Sequence, residues 1–382
     1  MRAARMRDIP GFGIDKVAAA AGDDPDVLRM ENLDTDLPPP PGVIEATRGA
    51  LGETQYNSWL PFSGRLDLKE AVAEHVQRRS GVRYDPGSEI VIASTDGTSM
   101  LDALLAMTDP GDEVVLTDPT YAGMINRVRL AGATPRFAKC RVEGDRWRLD
   151  LDSLQASVTD KTKALFLQNP TFPSGMVFNR EEWKAIADLV LDRDLLLIYW
   201  ALMEGIVFDG QPITHPVSFD GMRDRTITLG TVSSEYRMIG WRVAWALAPP
   251  DAADALGVVH IYNGLVASGF CQAGAIAALN SDPGDFESAV AEYERRRDAV
   301  VEELEGLPIV PASGGWALLL DTQAMGIPPP EASTRLLEHK VAATPMTVWG
   351  ETVAPRHIRF VFSREPVERL RNLGQRVRNA LA

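Results

Sequence analysis

The chain alternates short apolar runs with longer segments whose apolar residues recur every three or four positions. The runs EIVIAS (89–94), DEVVLTDP (112–119), TKALFLQNP (162–170), LLLIYW (195–200), TITLGTV (226–232) and VAWALAP (243–249) are short and apolar on both faces. That pattern predicts buried strands of a mostly parallel sheet. RLDLKEAVAEHVQRR (65–79), the turn and helix TDGTSMLDALLAMT (95–108) and REEWKAIADLVLDRD (180–194) carry helical spacing. Strands alternating with helices predict an α/β sheet covered on both faces. A long amphipathic helix follows over 283–306, and then WALLLD and HIRFVF strands mix with helices, as in an α+β unit. The chain is therefore expected to divide near residue 280. A large domain would span 46–280, and a smaller one would join 281–382 to an N-terminal arm, 1–45. The Pro-rich stretch LPPPPGVIEA (37–46) ends that arm at a helix start.

A chain of 382 residues exceeds what one core commonly serves, which agrees with two domains. The formal net charge of −14 argues against nucleic acid and anionic membrane surfaces as partners. No apolar run reaches the roughly 18 residues a membrane span needs. The N-terminal residues lack a long apolar core and do not read as a signal peptide, so a cytoplasmic location is expected. Cys140 and Cys271 form no disulfide framework, the five histidines show no ligand spacing, and no metal site is expected.

Seven segments, in order between about residues 35 and 363, carry a family pattern: LPPPPGVIEA, SWLPFSGRLDLKEAV, TDPTYAGM, NPTFPSG, WALMEGIVFDG, TVSSEYRMIGWRVAW and HIRFVF. Together they resemble the aminotransferase class I/II family, the pyridoxal-phosphate-dependent fold type I. The resemblance implies a large domain with a mostly parallel sheet, a smaller domain, and a homodimer with a shared active site. It also implies an anion cup for the cofactor phosphate: Gly97, Thr98 and Ser99 at a helix start, Thr231, and Arg242. A helix start suits an anion because its first N–H groups are unpaired, and a guanidinium can grip phosphate with two bonds. Tyr121 matches the aromatic residue stacked on the pyridine ring. Arg359 matches the arginine that holds the substrate carboxylate.

Other positions depart from the family pattern. Ser234 stands where the family has its Schiff-base lysine, and a hydroxyl cannot form an imine. Trp200 stands at the aspartate that pairs with the ring nitrogen. Phe172 and Met203 replace groups that bind the phenolic oxygen. Trp59 replaces a tyrosine given across the dimer, and Leu33 a glycine near the substrate. Read alone, these changes predict no cofactor and an enzyme independent of pyridoxal phosphate. It would act on an amino-acid- or keto-acid-like carboxylate by cyclisation, condensation, elimination or isomerisation in specialised metabolism. Ser234, Glu235, Tyr236 and Glu204 are its candidate catalytic groups. Two alternatives stay open: a non-catalytic carboxylate-binding protein or partner subunit, and an aminotransferase-like protein that binds pyridoxal or pyridoxamine phosphate non-covalently. The residues do not show whether Trp200 and Phe172 line a pocket or fill it.

Overall fold

A computed structural model describes residues 3–11 and 13–382. The arm carries a short helix, α1 (Gly13–Ala21), and a two-residue strand, Leu28–Arg29. That strand pairs in parallel with Val341–Ala342 near the C-terminus. The arm is thus fastened to the C-terminal part of the chain.

Eight strands form the main sheet: β1 (Ile90–Ala93), β2 (Glu113–Asp118), β3 (Thr134–Glu143), β4 (Arg146–Leu149), β5 (Thr162–Gln168), β6 (Leu196–Trp200), β7 (Thr226–Thr231) and β8 (Ala244–Leu247). Their spatial order is β1-β8-β7-β6-β5-β2-β3-β4. The strands β3, β2, β5, β6 and β7 run parallel to one another. Antiparallel β8 lies between β7 and β1, and β4 returns antiparallel to β3. Every residue of β1, β7 and β8 is buried, as runs apolar on both faces require when helices cover both sides of a sheet.

The helices begin where their sequences signal. Helix α2 (Asp96–Met107) starts after Thr95, whose hydroxyl oxygen accepts the Thr98 N–H at 2.8 Å. Helix α3 (Ala122–Leu130) follows β2 directly. The helix Arg180–Asp192 opens with a capping box formed by Asn179 and Glu182. These caps fix the start of each helix relative to the strand end before it, which decides which backbone groups face the crevice.

The hairpin of β3 and β4 was not expected. Its residues, TPRFAKCRVE and RWRL, place charged side chains on the outward positions of a sheet edge. Charges on an edge strand discourage further pairing. They also remove the continuous apolar signal that marks the central strands.

Beyond residue 280, α4 (Pro283–Glu303) leads into a second, antiparallel sheet. Its strands lie in the order Ile309–Val310, Ala317–Asp321, His357–Val361, Thr344–Pro345. The main sheet falls wholly before residue 280 and this sheet wholly after it. One apolar cluster runs through both, joining residues such as Phe166 and Trp183 to Trp316 and Phe360. Among the described residues no helix is long and apolar enough to cross a membrane.

Candidate active site

In a parallel sheet the crevice for a ligand opens beyond the carboxyl ends of the strands. Here the ends of β5, β6 and β7, the start of α2 and the start of α3 face a cavity of about 330 Å³. Trp200, Leu202, Phe172, Ser233 and Ser234 line it from the strand ends. Thr95, Asp96 and Gly97 line it from α2, and Tyr121 and Arg127 from α3 and its cap. Ile14, Asp15, Asn32 and Leu33 of the arm complete the enclosure. Trp200 and Phe172 therefore line an open space and do not fill it.

At one end of the cavity sits Arg242, with 46% of its side chain exposed. Its backbone is left-handed at φ 55°. Its Nη1 donates to the Ile239 carbonyl at 2.6 Å, and its Nη2 lies 3.9 Å from Asp96 Oδ1. Arg242 and Gly97 both line the cavity. The other members of the expected cup are turned elsewhere. Thr98 engages Thr95 Oγ1 through its hydroxyl at 2.9 Å and faces a neighbouring cavity. Ser99 donates its hydroxyl to the Thr95 carbonyl at 3.2 Å. Thr231 donates to the Val243 carbonyl at 2.9 Å, across the ladder between β7 and β8. Those hydroxyls are engaged locally, two of them by backbone carbonyls. Asp96 was not anticipated, and it brings a carboxylate to the anion end.

The opposite wall is aromatic. Tyr121 has ring-centre distances of 5.5 Å to Trp200, 6.0 Å to Phe172 and 5.4 Å to Trp349. Trp200 Nε1 is buried without a hydrogen-bond partner in the described structure. Met203 is buried in the core and does not reach the cavity; its neighbour Leu202 does. Trp59 is 76% exposed and packs edge-on against Phe62, away from the cavity of its own chain.

Arg359 does not reach the cavity either. Its guanidinium carbon lies 4.7 Å from the ring centres of both Phe172 and Trp349, and the residue is wholly buried. Nη2 donates to the Glu31 carbonyl, while Nε and Nη1 have no partner. Burial pushes the group down to about 9, against smaller opposing effects of Tyr121 and Glu31. Phe172 stands between Arg359 and the open space, so the expected grip of Arg359 on a substrate carboxylate is corrected.

Among the four candidate catalytic groups, only Ser234 faces the cavity. The chain turns after β7, with the Arg237 N–H donating to the Ser234 carbonyl at 3.1 Å. That turn directs the next side chains into a buried network behind the wall. Glu235 accepts the Gly205 N–H at 2.5 Å and Arg79 Nη2 at 3.0 Å. Glu204 accepts the Tyr199 hydroxyl at 2.8 Å. Tyr236 pairs with His75 Nδ1 at 3.0 Å, and burial holds that histidine well below its usual range, hence neutral. Glu235, Tyr236 and Glu204 are thus corrected from cavity groups to members of an internal network. Their motif neighbours gave no sign of Arg79, which comes from a helix more than a hundred residues away.

A sequence model of the family described as aminotransferase class I and II matches residues 27–377. Aspartate aminotransferase of Pyrococcus abyssi is 31% identical over 333 residues, 85% of this chain and 85% of that protein. Aromatic-amino-acid aminotransferase 2 of Thermococcus litoralis is 31% identical over 323 residues, 83% of this chain and 82% of that protein. Among solved structures, N-succinyldiaminopimelate aminotransferase from Mycobacterium tuberculosis matches with a TM-score of 0.94 at 26% identity, covering 100% of both chains.

These matches correct two expectations. A lyase, cyclase or isomerase independent of pyridoxal phosphate is not supported, because the relatives are named as aminotransferases. The expectation of no cofactor falls with it, since this family is pyridoxal-phosphate-dependent. Ser234 is the residue in place. The inference that the chain had therefore left the cofactor is what the matches overturn.

Proposed function

The chain belongs to the aminotransferase class I and II family, and from that premise we propose that it binds pyridoxal or pyridoxamine phosphate non-covalently and acts on small amino or 2-oxo acids. The single observation that carries this reading is the placing of Arg242 at the mouth of a cavity whose other wall is aromatic. A volume of about 330 Å³ lies at the lower end of the range of small-ligand sites, roughly 300–1,000 Å³.

The residues fit the group unevenly, and the difference defines how it is held. Arg242 suits the phosphate, and Gly97 at the start of α2 adds the positive end of a helix dipole. Asp96, 3.9 Å from Arg242, opposes part of that attraction. Tyr121 and Trp200 offer aromatic faces to a flat ring. No carboxylate stands at position 200 to balance a protonated ring nitrogen, so the ring is held neutral. No amine stands at position 234 to tether it, so phosphate and stacking contacts hold it alone. When bound, the cofactor supplies an aldehyde or amino group and a ring that withdraws electrons. Ser234 presents a hydroxyl at the end of β7 that can donate a hydrogen bond to a ligand oxygen. Leu33, Phe172 and Trp200 exclude water around it.

We also infer a homodimer. Trp59, 76% exposed, and Tyr262, 88% exposed, are large side chains left uncovered on a single chain. The family's usual pairing of two copies would cover such groups. In this arrangement Trp59 reaches toward the partner's cavity.

The test is a titration of the purified protein with both vitamers, followed by absorbance and melting temperature, with borohydride reduction and intact mass as the covalent check. Saturable stabilisation by either vitamer, without added mass after reduction, is expected. In Ser234→Lys, pyridoxal phosphate should form a reducible adduct at residue 234. Absence of stabilisation in the wild type and of an adduct in the lysine variant would defeat the reading.

A further inference from the structure

A second cavity, of about 530 Å³, is lined by the edge strand β1, the helix Leu66–Ser80 and the helix Pro250–Asn263. It shares no lining residue with the cavity of Ser234 and Arg242. Its apolar walls include Phe62, Ile90, Val91, Val258 and Ile261. Gly257 leaves space there. It lies inside the helix Pro250–Asn263, where a glycine weakens helical structure. In the next helix, Gly269–Leu279, packing demands the glycines. A Cβ on Gly269 would sit 2.1 Å from the Tyr56 carbonyl oxygen, and one on Gly274 would sit 2.3 Å from Thr47 Oγ1. A Cβ on Gly257 would meet nothing within 4 Å. Ala253, one turn earlier, keeps the same wall small.

Two charges of opposite sign border this cavity, and neither is paired. Lys69 is 5% exposed, and its ammonium donates to Ser63 Oγ at 2.8 Å. Among the described residues, no carboxylate comes within 4.0 Å of it. Burial holds the ammonium below its ordinary range, with Asp85 opposing from farther off. Asp254 is exposed and lines the same cavity, and no described cation comes within 4.0 Å of its carboxylate. A buried ammonium with one hydroxyl partner gains most from a carboxylate. Asp254 would repel a simple anion brought into the same space and attract a second positive group. The chemistry that satisfies both is a small zwitterion with an apolar body.

We propose that this cavity is a separate binding site for a free apolar α-amino acid, which is held there and does not react. Its carboxylate meets Lys69 and Ser63, its ammonium meets Asp254, and its side chain lies in the space beside Gly257, against Phe62, Val258 and Ile261. The volume falls within the range of small-ligand sites, roughly 300–1,000 Å³. The site stands whatever the cavity at Ser234 binds, because the two have no lining residue in common.

Calorimetric titration of the full chain separates the two charges. Its ligands are L-leucine, 4-methylpentanoate, which lacks the ammonium, and 3-methylbutylamine, which lacks the carboxylate. The wild type should bind leucine roughly tenfold more tightly than either analogue. Lys69→Met should weaken leucine roughly tenfold, and Asp254→Asn should cut its advantage over 4-methylpentanoate to roughly twofold. Gly257→Leu should weaken leucine roughly tenfold by filling the space, and it should fold, because leucine is the better helix former. Pyridoxal phosphate should behave toward all three variants as toward the wild type. Absence of leucine binding by the wild type would overturn the proposal, as would equal binding of the three ligands. Undiminished leucine binding in a folded Lys69→Met or in Gly257→Leu would place the amino acid elsewhere and overturn it too. If melting shows that Lys69→Met does not fold, Gly257→Leu decides alone. Leucine binding with this pattern, in a protein that binds neither vitamer, would defeat the cofactor reading and leave this site standing.

Discussion

Ser234 and Glu235 are chain neighbours that belong to different parts of the molecule. Ser234 faces a cavity bordered by Arg242, Tyr121 and Trp200. Glu235 faces inward to Arg79 and the Gly205 N–H. The cavity wall keeps polar groups in reach of a ligand, whereas the network behind it pairs them with one another. Adjacency in a motif therefore locates a backbone segment, and the turn that follows decides which side chain can do chemistry.

The contrast can be broken most strongly from the network side. Arg79 is the cation beside Glu235, with Glu204 close enough to feel its charge. Removing it in Arg79→Met leaves buried carboxylates without a counter-charge and should cost about 3–5 kcal/mol in urea unfolding. Burial already holds the Glu235 carboxyl above its ordinary range, with Arg79 opposing. Between the unfolded value and that raised value the folded state binds the extra proton, so stability falls as pH rises from about 4.5. In Arg79→Met this fall should be steeper and extend to higher pH. An unchanged pH profile would show that the two groups are not coupled.

From the cavity side the effect should be on binding and not on stability. Arg242→Gln should weaken pyridoxamine phosphate by about 2 kcal/mol, roughly thirtyfold, because it removes charge-assisted bonds. Its melting temperature should stay close to that of the wild type, since Arg242 is half exposed. A large loss of stability would mean that its bond to the Ile239 carbonyl holds the turn together.

Arg359 belongs to neither region, and its variant should give a smaller shift. Replacing a wholly buried guanidinium that has two unpartnered nitrogens with methionine should stabilise the fold by about 1 kcal/mol near neutral pH. The sign with pH is opposite to that of Glu235. Between about 9 and the ordinary arginine value the unfolded chain holds a proton that the folded chain has released. Wild-type stability therefore rises with pH in that window, and Arg359→Met should lack the rise. Destabilisation by the variant would show that Phe172, Trp349 and the Glu31 carbonyl more than offset the burial. The smallest effect belongs to Asp96→Asn. Removing a carboxylate 3.9 Å from Arg242 should tighten phosphate-ester binding roughly threefold to fivefold at low salt. Weaker binding would mean that Asp96 orients the arginine.

The central strands were legible because a strand covered on both faces must be apolar throughout, as LLIYW is. The edge hairpin over 134–149 was not, because its outward residues are charged. Motif order picked out Arg242, Tyr121, Trp200, Phe172 and Ser234, all of which line the cavity. It misplaced Arg359, whose environment depends on Trp349 and on a phenylalanine at position 172 that closes over it. It gave no hint of Arg127, whose guanidinium bonds carbonyls of both α2 and α3 at Gly97 and Gly123. Spacing reports what lies along one segment. A slot between segments has no linear signature.

The arm supplies Ile14 and Asp15 to the roof of the cavity, and further along the same arm Leu28–Arg29 is laced to Val341–Ala342. The roof is thus tied to the strand at Val341–Ala342, while the floor is built on β5, β6 and β7 of the large sheet. The roof of the cavity therefore has a two-residue ladder as one of its tethers. Loosening that ladder, far from any reacting atom, would change how long a ligand stays.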